Sequence, residues 1–254
     1  LIKADVSNFE EVSKAFEFDL SGCFHLAANP SVSQSIIEYS KCHKTNLGGL
    51  ITVLEAASKF SIGKANKTPV VFASSCAVYG DSHSSPLTES LELRPMSFYG
   101  ADKLSGEIHA TLGTKLLDVP SVGLRFFNVY GPGQRASSEY SGVLSIFCSQ
   151  LILGNPIRIF GDGQQVRDFV FVNDVVDVMK LAMKNIKKLS PGIFNVCSGE
   201  GTTITEVGKI VAELCESKFE PIYEEQREGD IRVSVGDPAL CKMLLGWERA
   251  TNLK

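Results

Sequence analysis

The sequence has no CxxC pair, no block of Lys and Arg, and no apolar run near the ~18 residues that a membrane-spanning helix requires. Each absence closes a class. Seven Cys, at positions 23, 42, 76, 148, 197, 215 and 241, form no cluster, so they read as reduced thiols and not as a disulfide frame or zinc site. Four His show no metal-ligand spacing, and no metal site is expected. A net charge of −4 and a pI near 5.7 argue against nucleic-acid binding by bulk electrostatics. No signal-peptide pattern, internal repeat or low-complexity tract is visible. The expectation is a soluble, cytoplasmic α/β protein.

What is present is an alternation. CFHLAA (23–28), VVFASS (70–75), SVGLRFFNVYG (121–131), RDFVFV (167–172) and GIFNVCSG (192–199) are short apolar runs that read as buried parallel strands. Between them lie helical patterns. Leu47, Leu50, Ile51 and Leu54 share one spacing, and Phe98, Ala101, Leu104, Ile108 and Leu112 another. Two more patterns follow, VNDVVDVMKLAMKNI and TITEVGKIVAELCES, the latter with Thr203 or Thr205 as N-cap. The 254 residues, 44% of them hydrophobic, allow one large α/β domain or a domain plus a smaller one. The alternation implies a doubly wound parallel sheet, with ligands gathering at the strand carboxyl ends. GPGQRASSEYSG (131–142) and the stretch from about residue 200, with the strand-like FEPIYEE and the charged REGDIR, break the alternation. They point to a smaller, discontinuous α+β cap. The expected division is 1–132 with 168–199 for the sheet domain, and 133–167 with 200–254 for the substrate-binding cap.

The most informative short pattern is YGADK, Tyr99 to Lys103, downstream of VVFASSCAVYG. A Tyr and a Lys at i and i+4 face the same way on a helix. A neighbouring ammonium favours the phenolate of a Tyr that otherwise titrates near pH ~10. Tyr99 is thus a candidate base, Lys103 its electrostatic partner, and Ser75 a hydroxyl arriving from a strand end.

These residues, in order with ADV, HLAA, TNLGG, RFFNVYGPGQ, IFGDGQQVRDFVFVND and REGD, are similar to the extended short-chain dehydrogenase/reductases, within them the UDP-glucose 4-epimerase group. The likeness runs from about residue 4 to about 247. It implies an NAD-dependent, redox-neutral inversion at C4 of a UDP-hexose through a transient 4-keto sugar. Tyr99 matches the family's catalytic base, Lys103 the residue at the nicotinamide ribose, and Ser75 the hydroxyl at the sugar O4. Asp5 and Val6 match the adenine site, Ala27 and Ala28 the pyrophosphate and nicotinamide side, and Asn46 a residue beneath the cofactor. Asn128 resembles a substrate-binding Asn, Phe160 falls at the uracil, Arg167 and Arg227 at the diphosphate, and Asp230 at the uridine ribose. Ser234 matches a position lining the pocket of the turning sugar, bulky Tyr in members restricted to UDP-glucose and UDP-galactose, small in those that accept N-acetyl sugars. A homodimer through the helices after TNLGG and around YGADK is the family's habit, and Val53, Ala57 and Leu112 are read as its surplus apolar surface.

The family's Gly-rich loop, GxGxxG or GxxGxxG, is not in this sequence, which opens like the end of a third strand. The expectation is a chain lacking its first two βα units and holding NAD weakly. Cys76 and Ala77 stand where sugar dehydratases carry an Asp-Glu pair, so dehydration lacks its acid and base. Two other readings stand beside hexose epimerisation. One is a UDP-glucuronate 4-epimerase, the other a UDP-sugar-binding remnant without turnover. At single residues, Arg167 could pair with Asp168 or Asp174, Asn128 could satisfy a turn, and Ser234 could be an ordinary strand residue. His25, Tyr79 and Tyr130 read as packing groups, Cys76 as a small core-facing one, and the GPGQ and GDGQ glycines as turn formers.

Overall fold

The computed structural model describes residues 1–60, 67–134, 142–227 and 229–253. Its strands are β1 (Cys23–His25), β2 (Val70–Ser75), β3 (Ser121–Phe126), β4 (Asn128–Tyr130), β5 (Arg158–Phe160), β6 (Val166–Phe171), β7 (Gly192–Val196), β8 (Gly201–Thr203), β9 (Ile222–Glu224) and β10 (Val233–Ser234). Its helices are α1 (Phe9–Phe16), α2 (Val32–Ile37), α3 (Tyr39–His43), α4 (Gly49–Lys59), α5 (Phe98–Leu117), α6 (Val143–Ile152), α7 (Val172–Leu189), α8 (Ile204–Leu214) and α9 (Ala239–Leu245). A π-helical turn, Lys44–Gly48, joins α3 to α4.

The main sheet has the order β1-β2-β3-β7, all parallel. Successive side chains of a strand point to opposite faces, and β2 obeys this. Val70 and Phe72 pack with Val12 and Phe16 of α1 and Leu50, Val53 and Leu54 of α4. Val71 faces the other way, with Val122, Leu124, Phe194 and the α7 residues Val178 and Ala182. Both faces are covered, which is why the strands read as continuous apolar runs. No helix among the described residues is long and apolar enough to cross a membrane.

Local sequence sets the helix starts. Asn8 caps α1 by accepting from the Glu10 and Glu11 amides, and both acids suit the positive end of the helix. Ser97 caps α5 through the Gly100 amide. Thr203, not Thr205, caps α8, in a capping box with Glu206.

Five readings need correction. RDFVFV does not join the main sheet. β6 pairs with β4 and β10 in parallel and β8 in antiparallel, next to a cluster of Phe147, Ile157, Ile159, Val207 and Val211. CFHLAA is strand only to His25, and the run 121–131 breaks at Phe127, whose amide bonds to Val196. On α5, the apolar stripe expected to face inward is largely outside: Phe98, Ile108 and Leu112 are exposed. The buried face is Gly100, Asp102, Lys103, Gly106, Glu107, Ala110 and Gly113. A Cβ on Gly106 would stand 2.9 Å from the Leu50 side chain, so small residues let α5 approach α4. Val53 and Ala57 are core residues and not dimer surface; Leu112 is exposed. Most of the 131–142 segment lies outside the described residues, as does Glu228 of REGD.

Candidate functional site

Ser75 ends β2, and its hydroxyl accepts from the Ala77 amide at 3.2 Å, which fixes the tight turn into 76–78. The Tyr99 phenol, in the first turn of α5, lies near enough to the same hydroxyl for Ser75 to favour its ionised form. One turn on, the buried Lys103 ammonium lies 5.7 Å from the Tyr99 ring centre and donates to the Ala73 carbonyl at 2.8 Å. The three residues expected to work together are therefore together.

Their electrostatics differ from the reading of Tyr99 as a phenolate eased by Lys103. Burial of the hydroxyl pushes Tyr99 up to about 12, only partly offset by the Ser75 hydrogen bond. Burial also pulls Lys103 down to about 8, against the attraction of Asp102. Both groups are thus biased toward their neutral forms, and a base at Tyr99 requires positive charge gathered around it. His25, at the end of β1, is driven down to about 4 by burial and by Lys103, so it is a neutral packed residue, as read.

The loop after β1 is clamped by Asn46. Its side chain accepts from the Asn29 amide at 2.7 Å and donates to the Asn29 carbonyl at 3.1 Å. These two hydrogen bonds fix Asn29, which follows the Ala27–Ala28 segment at the carboxyl end of the sheet, with Ala27 exposed. Val6 packs on Gly49 at the start of α4, and Asp5, bonded to the Ser7 amide and hydroxyl, precedes it on the same side.

A cavity of about 570 Å³ adjoins the turn after Ser75. Ala77, Gly80, Met96, Arg167, Arg227 and Asp230 are among its walls. Arg167 pairs with Asp230, at 2.5 Å, and not with Asp168 or Asp174. Asp230 also accepts from the Gln165 amide at 2.9 Å, and Gln165 donates to the Phe160 carbonyl at 2.7 Å. Arg227 stacks on Phe160, its guanidinium carbon 3.9 Å from the ring centre. Thus Phe160, Arg167, Arg227 and Asp230 form one connected group. The GDGQ glycines, Gly161 and Gly163, sit at φ of 71° and 72°, as turn formers do. Ser234 is buried on β10 opposite Arg167, near the Cys76 thiol that follows Ser75. Asn128 donates to the Asp168 carbonyl at 2.9 Å, in the β4–β6 ladder, so its amide serves the sheet.

Sequence reading missed three parts of this site. The segment Pro30–Ser33 with Ile36 forms a wall of the cavity, without any motif to announce it. Tyr79 packs in a core cluster, as read, and is also a polar link: its hydroxyl donates to Asn195 at 2.7 Å and accepts from Arg125 at 2.8 Å. Asp102, inside YGADK, is a buried carboxylate bonded to His43 at 2.7 Å. An acid directly before the Lys was the available signal.

The donor set suits the nicotinamide end of a dinucleotide. Lys103 uses one of its three protons, on Ala73, and its other two have no partner among the described residues. A ribose diol beside Tyr99 matches such a cation.

Known proteins resemble the chain over nearly its whole length. Residues 1–197 match the model of the NAD-dependent epimerase/dehydratase family. A UDP-glucose 4-epimerase of Mycolicibacterium smegmatis is 32% identical over 251 residues, covering 97% of this chain and 77% of the relative. The crystal structure of a Thermotoga maritima UDP-glucose 4-epimerase with UDP-glucose superposes with a TM-score of 0.92 at 33% identity, over 98% of this chain and 79% of that one. A UDP-N-acetylglucosamine 4-epimerase from Methanobrevibacter ruminantium, in complex with UDP-N-acetylmuramic acid, gives 0.90 at 31%, over 98% and 77%. With its parallel α/β sheet and its Ser-Tyr-Lys cluster, the chain belongs to the NAD-dependent epimerase/dehydratase family, in its UDP-sugar 4-epimerase branch.

Proposed function

We propose that the protein inverts C4 of a UDP-hexose, interconverting UDP-glucose with UDP-galactose and the corresponding N-acetyl sugars. The observation that carries this reading is the Ser75–Tyr99–Lys103 cluster next to a cavity whose lining takes in Ala77, in the turn after Ser75, and Ser97, which caps the Tyr99 helix, together with Arg167, Arg227 and Asp230. NAD, when bound, supplies a reversible acceptor for the C4 hydrogen. Tyr99 takes the O4 proton and returns it, Ser75 holds O4 by hydrogen bond, and Lys103 keeps the phenol electrostatically poised. Arg167 and Arg227 suit the diphosphate, since guanidinium forks match its oxygens. Phe160 offers a ring face to the uracil and Asp230 an acceptor to the ribose. Asp5, Val6, Ala27, Ala28 and Asn46 hold the cofactor, and Asn128 orders the strand beneath the substrate. The sheet domain is 1–132 with 168–199 and the cap 133–167 with 200–254. Seven free thiols fit the cytoplasm as its setting.

Ser234 sets substrate breadth. It stands against Cys76 beside Ser75, where a Tyr ring and a 2-acetamido group could not share one packed volume. The test is a panel of UDP-glucose, UDP-N-acetylglucosamine and UDP-glucuronate with wild type and Ser234→Tyr of the intact protein. Wild type should turn over the first two, and the variant should lose kcat/KM for the N-acetyl sugar by roughly 10–100-fold while keeping UDP-glucose. Turnover of UDP-glucuronate alone, or of none, overturns the hexose reading.

The exposed Ile108, Leu112 and Leu116 of α5, with Ile51 of α4, form an apolar face that a second copy would cover by two-fold symmetry. Sedimentation should give a homodimer at micromolar concentration and a monomer for Leu112→Glu. A monomeric wild type refutes the assignment.

A further inference from the structure

The backbone that presents Ser75 is fastened to α5 at three points. Before Ser75, the Ala73 carbonyl accepts from Lys103 at 2.8 Å. Next to it, the Ser74 hydroxyl donates to Glu107 at 2.5 Å, and both side chains are buried. After it, the Ala77 carbonyl lies so close to Gly100 that a Cβ there would stand 2.6 Å from its oxygen. Residues 100, 103 and 107 are three and four apart, so they share one face of the helix. Ser75 and Tyr99 therefore sit on two stretches of backbone whose separation and register these contacts set.

The Ser74 contact differs from its neighbours. Lys103 belongs to the cluster itself, and the contact at Gly100 is steric. Ser74 is 2% exposed and outside the lining of the cavity. Its partner Glu107 is gripped by the Arg125 fork at 2.9 and 2.7 Å. A charge-assisted bond to a carboxylate held in this way is short and directional. The same guanidinium donates to the Tyr79 hydroxyl at 2.8 Å, and the Tyr79 amide closes the turn on the Cys76 carbonyl at 3.1 Å. Arg125 thus braces the 74–79 segment at both ends, through Glu107 at one and Tyr79 at the other.

We infer that Ser74 is a positioning residue: its hydroxyl, bonded to Glu107, fixes the end of β2 against α5 so that Ser75 meets Tyr99. This rests on the proposed roles of Ser75 and Tyr99. Reacting groups tolerate little displacement, and about 1 Å of misplacement can cost about 100-fold in rate. Loss of the Ser74 hydroxyl leaves Glu107 paired with Arg125, so no buried charge is orphaned and the variant should fold.

The experiment compares Ser74→Ala with Ser121→Ala in the intact protein. Ser121, at the start of β3, is as buried as Ser74 and donates to the Ala110 carbonyl of α5 at 3.0 Å. It makes the same kind of strand-to-helix bond at the opposite end of the sheet, so a purely structural role predicts like effects. One readout is kcat and KM with UDP-glucose and NAD. The other, taken without substrate, is the NMR signal of ¹³Cζ-labelled Tyr99, assigned with Tyr99→Phe. Ser74→Ala should lower kcat by roughly 10–100-fold at unchanged KM and move the Tyr99 signal. Ser121→Ala should do neither. Ser74→Cys, near in size and a weak donor, replaces Ser74→Ala if the latter does not fold. A wild-type kcat, an unmoved Tyr99 signal, or equal effects in the two variants overturns the inference. Failure of the epimerase reading appears separately, as a wild type that turns over no UDP-hexose, and the Tyr99 signal alone then decides for Ser74.

Discussion

Tyr99→Phe should reduce kcat by about 10²–10⁴-fold while leaving the melting temperature close to wild type. The substitution removes one oxygen, the one that meets Ser75, and leaves the partly exposed ring to pack as before. Binding of UDP-sugar should survive, because Phe160, Arg167, Arg227 and Asp230 lie elsewhere on the cavity wall and are linked to one another. The loss therefore belongs in kcat and not in KM. The measurement is steady-state turnover with a substrate-binding titration on the same preparation. Near-wild-type turnover would remove Tyr99 from the chemistry, and loss of binding with turnover number preserved would place it in recognition.

Arg125→Ala should have the largest effect on stability. Arg125 is 3% exposed and forks onto Glu107 with bonds of 2.9 and 2.7 Å, and its third arm donates to Tyr79 at 2.8 Å. Tyr79 continues to Asn195 on β7, and Glu107 accepts from Ser74 on β2. Removing the guanidinium leaves Glu107 buried with its charge uncompensated, a loss of about 3–5 kcal/mol. In a domain of this size that lowers the melting temperature by roughly 10 °C. Replacing both partners by apolar residues of similar volume, Arg125→Met with Glu107→Leu, should restore much of the loss, since it is the orphaned charge that destabilises. Thermal denaturation of the three proteins decides. A single variant within about 1 kcal/mol of wild type would show that Glu107 finds other compensation.

The network explains what the sequence could and could not show. The strands β2, β3 and β7 were legible because a sheet covered on both faces demands unbroken apolar runs. The inward face of α5 was not legible. It packs through Gly100, Gly106 and Gly113 and carries Lys103 and Glu107, so hydrophobic periodicity selected the outward stripe instead. The turn of Ser75 toward Tyr99 was legible because both residues sit in local motifs whose secondary structure was clear. The Arg167–Asp230 pair was not, since the two are 63 residues apart and only the meeting of β6 with the 227–232 segment brings them together. The same holds for His43 and Asp102, 59 residues apart on helices packed at an angle no local pattern encodes. Asn128 was read from its motif as a substrate ligand, while its amide nitrogen is committed to the Asp168 carbonyl across two short strands. Long-range pairing, and not local propensity, decides such cases.

The central claim is that the protein, with NAD bound, removes the C4 hydrogen of a UDP-hexose and returns it to the same carbon while Tyr99 takes and returns the O4 proton. It is tested most directly by following that hydrogen. UDP-glucose deuterated at C4 is incubated with the intact protein and NAD in ordinary water, and the product is examined by NMR and mass spectrometry. The account predicts UDP-galactose that keeps its deuterium at C4. Product with the label washed into solvent, or no change at C4 while another carbon reacts, would contradict it.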